Sequence, residues 1–308
     1  MNNFTHKVYL LTEDDSHYQQ LLEQAALPEL KITSSCCEAT ILLASPPLAA
    51  GHINDFPNLE WIQSIYAGVD ALVSNLDDFS GELTNVKGIF GQQIAEYVLG
   101  YSIEHYRHFD HYRQLQTKNQ WQPRLYQSLA KKKMVILGTG SIGACLASVA
   151  KSFSIEPIGV NRSGIPAKQS PFDSTYHIQE LATALKQADI VVNTLPNTPE
   201  TENILNADSL SHCTNALLFN VGRGSAVDED GLLAALTNGN ISHAYLDVFK
   251  QEPLSEQHPF WQHSAITVTP HIAALSIPEQ VIDIFTENYQ RWRDGFALVN
   301  VVDPSKGY

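Results

Sequence analysis

The opening part of the chain breaks into short apolar runs separated by polar stretches. Lys7–Leu11 is β-rich, Ser16–Leu27 sets Leu21, Leu22, Ala25 and Ala26 at helical spacing, and Ile41–Leu43 and Trp61–Ile65 are further short apolar runs. Together they predict a small α/β unit. From Gln92 the period lengthens. Ile94, Tyr97, Val98, Tyr101 and Tyr106 recur at three- and four-residue steps, which predicts a long helix. A loop carrying Pro123 follows, then lysines 131–133, which read as a solvated lead-in rather than a binding patch. After it the alternation becomes regular. Strand-like runs fall at Met134–Leu137, Pro157–Val160, Ile190–Asn193, Leu217–Val221, Ala244–Val248 and Ile266–Thr269, with helical stretches at Ile142–Phe153, Gln179–Lys186 and Glu229–Leu236. Strands apolar on both faces and separated by helices imply a buried parallel sheet covered on either side. Ile277–Phe296 is helical again and is expected to pack back on the first domain. The predicted division is therefore 1–96 with 277–308, and 97–276.

Composition narrows the class. The 308 residues exceed one small core and suit two domains. With 44% hydrophobic and 17% charged residues the chain reads as globular, and it contains no apolar run of the ~18 residues a membrane span needs. The start, MNNFTHKVYLLTEDD, lacks the basic and apolar regions of a signal peptide. A formal charge of -14 argues against nucleic acid as a partner, while leaving room for a local cationic pocket. Cys36, Cys37, Cys145 and Cys213 form neither a metal-ligand spacing nor a disulfide framework, so reduced thiols and a cytoplasmic location are expected. His105, His108 and His111 read as a solvated helix face, and no metal is expected.

Against this background, the first strand of the second domain runs directly into Gly138-Thr-Gly140-Ser141-Ile142-Gly143. Between a strand and a helix this pattern signals a dinucleotide site. Gly138 permits the turn, Gly140 lets a diphosphate approach, and Gly143 lets helix and strand pack closely, while the N–H groups around Ser141 and Ile142 face the anion. The next strand ends in Val160-Asn161-Arg162-Ser163, without the carboxylate that usually accepts from a ribose 2′-hydroxyl. Arg162 can pair with a 2′-phosphate and Ser163 can donate to it, so NADPH is expected, with NADH possible. The other reading is an exposed loop arginine, with Asn161 serving NAD through its amide.

Three later segments each offer one ionisable group: Arg223 in Asn220-Val-Gly-Arg-Gly-Ser, Glu252 after Leu246-Asp247-Val-Phe-Lys-Gln, and His271 in Thr269-Pro-His-Ile-Ala-Ala. Each alone has an ordinary explanation as a surface, turn or packed loop residue. All three follow successive strands of a dinucleotide fold, where ligand crevices form. A guanidinium there can hold a carboxylate and polarise a carbonyl, and an imidazole paired with a carboxylate can donate a proton.

In the order and joint spacing of its motifs the chain resembles the D-isomer-specific 2-hydroxyacid dehydrogenase family. The likeness covers Tyr66-Ala-Gly-Val-Asp70, Ala95-Glu-Tyr97, the glycine fingerprint, Leu195-Pro-Asn-Thr-Pro-Glu-Thr201, the Arg223 segment, DVFKQEPL and TPHIAA. Together with these, SHAYLDVFKQEPL and the C-terminal Val302–Tyr308 resemble the glyoxylate/hydroxypyruvate reductase A group. The resemblance implies an α/β fold of two doubly wound parallel-sheet domains, a flavodoxin-like substrate domain and a Rossmann cofactor domain. It implies that Arg223 binds substrate, His271 is the acid/base with Glu252 on its imidazole, Asp247 contacts the nicotinamide carboxamide, Leu195 and Pro196 line the cofactor, and the Ala67 and Gly68 N–H groups receive the substrate carboxylate. A homodimer is implied as well. Where related sequences often read GAGVD, this one places Tyr66, a bulky side chain beside that turn. The expected activity is NADPH-dependent reduction of a small 2-oxo acid to the 2-hydroxy acid. A cofactor-binding co-repressor of the same family is the alternative, disfavoured by the lack of a long extension. Phosphoglycerate dehydrogenase and formate dehydrogenase are disfavoured by the short C-terminus and by Glu252 in place of Gln.

Overall fold

The computed structural model describes residues 5–73, 75, 76 and 79–303. The C-terminal Pro304–Tyr308, part of the resemblance above, lies outside the described residues. Two compact units emerge, 1–89 with 276–308, and 90–275.

The first unit is a parallel sheet of β1 (His6–Leu11), β2 (Leu30–Ile32), β3 (Ile41–Ala44), β4 (Trp61–Ser64) and β5 (Glu82–Thr84), in the order β2-β1-β3-β4-β5. This is the flavodoxin-like order, and the strand sequence reverses between β1 and β3. β3 is buried at all four positions, as a central strand covered on both faces must be. Helix α1 (Asp15–Ala25) starts where the Asp14 side chain accepts from the His17 N–H and stops at Ala26, which turns left-handed. Short α2 (Pro46–Ala49) and α3 (Asp70–Val73) follow β3 and β4. β2 and β5, at three residues each, are too short for a hydrophobic period to register in sequence.

The second unit contains α4 (Phe90–Arg107), α5 (Phe109–Thr117), β6 (Lys133–Leu137), α6 (Ser141–Ser152), β7 (Glu156–Asn161), β8 (Ser174–His177), α7 (Leu181–Leu185), β9 (Ile190–Asn193), α8 (Ala207–Ser211), β10 (Ala216–Asn220), α9 (Glu229–Thr237), β11 (Ile241–Leu246) and β12 (Ile266–Val268). Its seven parallel strands run β12-β11-β10-β9-β6-β7-β8, a Rossmann order extended by one strand, with the reversal between β6 and β9. Successive residues of β6 serve opposite faces. Val135 and Leu137 join Leu181, Leu185 and Leu232, while Met134 and Ile136 join Ile94, Val98 and Leu146.

The last helix, α10 (Pro278–Arg293), belongs to the first unit. Its Phe285 stacks on buried Trp61 at 5.1 Å, and its Tyr289 hydroxyl donates to the Pro28 carbonyl at 2.8 Å. Asn288 donates to Gln63 Oε1 at 3.3 Å, tying the helix into a buried polar chain with Thr84 and Trp61.

Three sequence expectations change. The predicted boundary at 96/97 falls inside α4, whose first turn already sits on α6: a Cβ at Gly91 would come 2.5 Å from the Cys145 Cβ. Of the lysine run only Lys131 is exposed, and Lys132 and Lys133 are not a solvated lead-in. Lys132 pairs with Asp189 at 2.9 Å, and the Lys133 Nζ donates to Gln187 Oε1 at 3.1 Å, pinning the start of β6 to the loop before β9. Nor do the three histidines share a solvated helix face. The chain turns left-handed at His108, ending the periodicity, and His105 is half-buried with its ring 6.0 Å from that of His243. Burial keeps both of those imidazoles neutral, that of His243 with a pKa pushed down to about 4. Among the described residues no helix is long and apolar enough to cross a membrane, and no group of His, Cys, Asp and Glu is arranged to hold a metal.

Candidate active site

The glycine fingerprint connects β6 to α6. Gly138 has φ +101, and a Cβ at Gly143 would lie 2.0 Å from the Gly138 carbonyl oxygen, so no other residue fits this helix–strand contact. Gly140 caps α6 with no side-chain hydrogen bond, and a Cβ there would meet nothing within 4 Å. The N–H groups of Ser141, Ile142 and Gly143 lie in the first turn of a twelve-residue helix, without intrahelical acceptors. An uncapped N-terminus with glycine at its cap fits a diphosphate.

At the end of β7, Asn161 works as a loop organiser. Its Nδ2 donates to Thr139 Oγ1 at 3.0 Å and to the Ile165 carbonyl at 3.1 Å, while Oδ1 accepts from the Ser163 and Gly164 N–H groups. Its amide is thereby committed to the turn, and Arg162 and Ser163 are left as the exposed residues at the tip. Arg162 lies close to Glu200 of the 195–201 segment. The carboxyl pKa of Glu200 is lowered mainly by its own backbone N–H and by the Thr198 hydroxyl, with the Arg162 charge assisting. Leu195 is fixed by its N–H to Asn193 Oδ1 at 3.1 Å, and Thr201 Oγ1 donates to the Pro196 carbonyl at 2.7 Å.

Arg223, Glu252 and His271 converge on the carboxyl edge of the same sheet. Asn193 and Asn220, buried at the ends of β9 and β10, form a bridge: Asn193 donates to Asn220 at 2.9 Å, and Asn220 to the Arg223 carbonyl at 3.0 Å. A Cβ at Gly224 would lie 1.8 Å from the Phe249 carbonyl carbon, so the Arg223 loop rests directly on the backbone leading to Glu252. Glu252 accepts the Phe249 N–H at 2.8 Å through Oε1, and its Oε2 lies 2.8 Å from His271 Nδ1. His271 is left-handed, with φ 55, and its side chain is 53% exposed, so an imidazole anchored at Nδ1 remains open to a ligand.

Asp247 fixes the histidine turn. Its buried carboxylate accepts from Thr269 Oγ1 at 2.6 Å, from the Ile272 N–H at 2.9 Å and from the Ala273 N–H at 2.9 Å, while its carbonyl accepts the His271 N–H at 2.9 Å. Tyr97 of α4 hydrogen-bonds Thr269 Oγ1 at 2.7 Å, and Gln93 makes two bonds of 3.0 Å with the backbone of Leu275. The supporting roles of Asn193, Asn220, Gln93 and the Tyr97 hydroxyl carry no sequence signature, since each depends on a partner remote in the chain.

The His271–Glu252 hydrogen bond sets the electrostatics. It raises the imidazole pKa above its ordinary value, against partial burial and the nearby Arg223 charge. For Glu252, burial pushes the carboxyl pKa up, but the bonds from His271 and the Phe249 N–H more than offset it and leave it lowered. The pair favours imidazolium–carboxylate near neutrality, and a protonated Nε2 can donate.

In the first unit, Ala67 and Gly68 follow β4. Ser64 Oγ at 2.9 Å and the Val86 N–H at 3.3 Å hold the Tyr66 carbonyl, and Asn85 Nδ2 at 2.7 Å holds the Ala67 carbonyl. Because C=O and N–H point oppositely in a trans peptide, anchoring these two carbonyls turns the Ala67 and Gly68 N–H groups away from the anchors as adjacent donors.

The family model for the D-isomer specific 2-hydroxyacid dehydrogenase NAD binding domain matches residues 99–273. Glyoxylate/hydroxypyruvate reductase A from Serratia proteamaculans is 34% identical over 258 residues, covering 81% of this chain and 82% of that protein. A D-isomer specific 2-hydroxyacid dehydrogenase family protein of Aeromonas salmonicida, known from a crystal structure, superposes with a TM-score of 0.92 at 40% identity over 97% of this chain and 99% of that one. The D-isomer specific 2-hydroxyacid dehydrogenase of Xanthobacter autotrophicus, crystallised with NADPH and MES, gives 0.88 at 31% identity over 99% and 100%. With two doubly wound sheets, a dinucleotide fingerprint and these relatives in agreement, the chain belongs to the D-isomer-specific 2-hydroxyacid dehydrogenase family of oxidoreductases.

Proposed function

We propose that the protein is an NADPH-dependent reductase of small 2-oxo acids of the glyoxylate and hydroxypyruvate type, with His271 as proton donor. The observation that carries the reading is the 2.8 Å His271–Glu252 bond on the strand-end edge that also holds Arg223. Bound nicotinamide supplies the hydride that reduces the oxo carbon. Arg223 holds the substrate carboxylate and stabilises the negative charge that develops on the carbonyl oxygen, and His271 delivers the proton that neutralises it. Glu252 keeps the imidazole protonated and oriented. The Ala67 and Gly68 N–H groups, left as adjacent donors by their anchored carbonyls, suit a substrate carboxylate. Asp247 spends its carboxylate on the histidine turn, so any contact it makes with the carboxamide is secondary to positioning His271.

NADPH preference rests on the absence of a carboxylate at Asn161-Arg162-Ser163, on the exposure of Arg162, and on the NADPH bound by the Xanthobacter relative. Association of two copies through the second unit accounts for Trp121 and Leu125, which are 97% and 96% exposed. A cytoplasmic location accords with the four free thiols.

A panel of 2-oxo acids assayed with NADPH and NADH in parallel tests the proposal. Turnover of glyoxylate and hydroxypyruvate with NADPH favoured is expected, and Arg162→Ala should lose about tenfold more affinity for NADPH than for NADH. Equal losses would refute the 2′-phosphate role. Failure on every oxo acid would favour a cofactor-binding protein.

A further inference from the structure

Tyr66 departs from the small residue expected at the head of the carboxylate turn, and its side chain is held across the sheet edge. Its hydroxyl donates to Glu13 Oε1 at 2.9 Å, and Ser45 Oγ donates to the same oxygen at 2.6 Å. Tyr66 follows β4, Ser45 follows β3 and Glu13 lies two residues beyond β1. The tyrosine therefore reaches from one strand end over a second to a third and lies at the carboxyl edge where the strand order reverses between β1 and β3. This switch point is the place where doubly wound sheets bind ligands. Half-burial raises the phenol pKa, more than the Ser45 hydroxyl lowers it, and the Glu13 charge adds to the rise, so the hydroxyl remains a donor near neutrality. Glu13 itself is exposed, and it places a carboxylate on the edge that carries the Ala67 and Gly68 donors.

We propose that Tyr66, braced by Glu13 and Ser45, is a specificity-determining residue that admits short 2-oxo acids bearing one carboxylate and rejects those bearing a second carboxylate or a bulky C3 group. The inference rests on the reading that the 67–68 turn receives the substrate carboxylate. With that carboxylate fixed, the substituent beyond the keto carbon meets a ring that cannot swing away without giving up its bond to Glu13. A second substrate carboxylate meets the Glu13 charge as well. A hydroxyl or a hydrogen at the same place meets neither penalty.

The test measures kcat/KM for hydroxypyruvate, oxaloacetate and phenylpyruvate at saturating dinucleotide. The wild-type protein is expected to favour hydroxypyruvate over both. Glu13→Gln keeps an oxygen that accepts from Tyr66 and Ser45 while removing the charge, and should raise the oxaloacetate-to-hydroxypyruvate ratio about tenfold. Tyr66→Ala should raise the phenylpyruvate ratio by a similar factor, about tenfold, by clearing the ring. If a variant fails to fold, raising ionic strength with the wild-type protein serves instead, since screening of Glu13 should lift the oxaloacetate ratio. A wild-type protein that reduces oxaloacetate as well as hydroxypyruvate, or ratios unmoved by Glu13→Gln or by salt, would overturn the charge screen. An unmoved phenylpyruvate ratio in Tyr66→Ala would overturn the steric one. Either result with hydroxypyruvate still reduced condemns this inference alone, whereas a protein that reduces no 2-oxo acid overturns it together with the proposed function.

Discussion

The turn after β4 in the first unit is held by its carbonyls, and the turn after β12 in the second is held by its N–H groups. Ser64, Val86 and Asn85 all donate, to the Tyr66 and Ala67 carbonyls, so the backbone there is left with N–H groups to offer. Asp247 does the reverse. Its carboxylate and carbonyl take the N–H groups of His271, Ile272 and Ala273, and the turn is left with a side chain to offer, the imidazole of His271. The first turn presents peptide dipoles, which do not titrate and suit an anion at any ordinary pH. The second presents an imidazole whose charge changes with pH and whose pKa the Glu252 bond raises. Under the proposed function, strand-end turns of like position would divide the work, one toward holding a carboxylate and one toward moving a proton, according to whether the anchor beneath is a donor or an acceptor.

Removing His271, the proposed proton donor, tests the second turn most severely. His271→Asn should lower the reduction rate about a thousandfold, within the range ascribed to a positioned general acid. Dinucleotide affinity, read by fluorescence titration, should hold. A loss under tenfold would mean the proton comes from elsewhere. Glu252→Gln should have a smaller effect, about tenfold at neutral pH, together with a change of pH profile. The wild-type imidazole has a raised pKa, so it is protonated and active at low pH, and the reduction rate falls as pH rises through that raised value. Without the carboxylate the imidazole gives up its proton more readily, and the fall should begin at lower pH. A pH profile of kcat/KM unchanged by Glu252→Gln would separate Glu252 from proton control.

The two turns were unequally legible in the sequence. Arg223 and Glu252 come after the buried strands β10 and β11, His271 comes after the short apolar run that holds β12, and the glycine fingerprint locates the sheet that carries them, so position alone suggested convergence. The expectation that Ala67 and Gly68 bind a carboxylate came only from family resemblance, because their N–H groups acquire direction from Asn85, beyond a three-residue strand that leaves no periodic trace. β2 escaped notice for the same reason of length, and β8 because its residues are only partly buried. Lys132 and Lys133 misled because charge predicts exposure only when no acceptor waits in the fold, and half-buried Asp189, 57 residues from Lys132, cannot be paired with it from sequence. Side chains that act through distant backbone, such as Asn85 and Gln93, are readable only once the topology is known.

Asn85 therefore offers the finest test of the comparison. Its side chain is buried, its Nδ2 donates to the Ala67 carbonyl at 2.7 Å, and its backbone N–H donates to the Asn300 carbonyl at 3.1 Å, which fixes the residue independently of its amide. Asn85→Ala removes the donor and lets the 67–68 peptide tilt, while the turn stays anchored at the Tyr66 carbonyl. The expected result is a KM for the oxo acid raised about tenfold, equivalent to about 1.4 kcal/mol and within the usual cost of a lost buried hydrogen bond. The KM for the dinucleotide should not change, and kcat at saturating substrate should stay within a factor of about three, because Asn85 acts on binding through the turn and His271 remains untouched. Asn85→Asp, close to Asn85 in shape but lacking the donor when ionised, should weaken oxo-acid binding at least as much. An unchanged oxo-acid KM in both variants would show that the Ala67–Gly68 donors do not need this anchor. A fall in kcat at constant KM would place Asn85 with the proton-transfer machinery, and the division of labour between the two turns would fail.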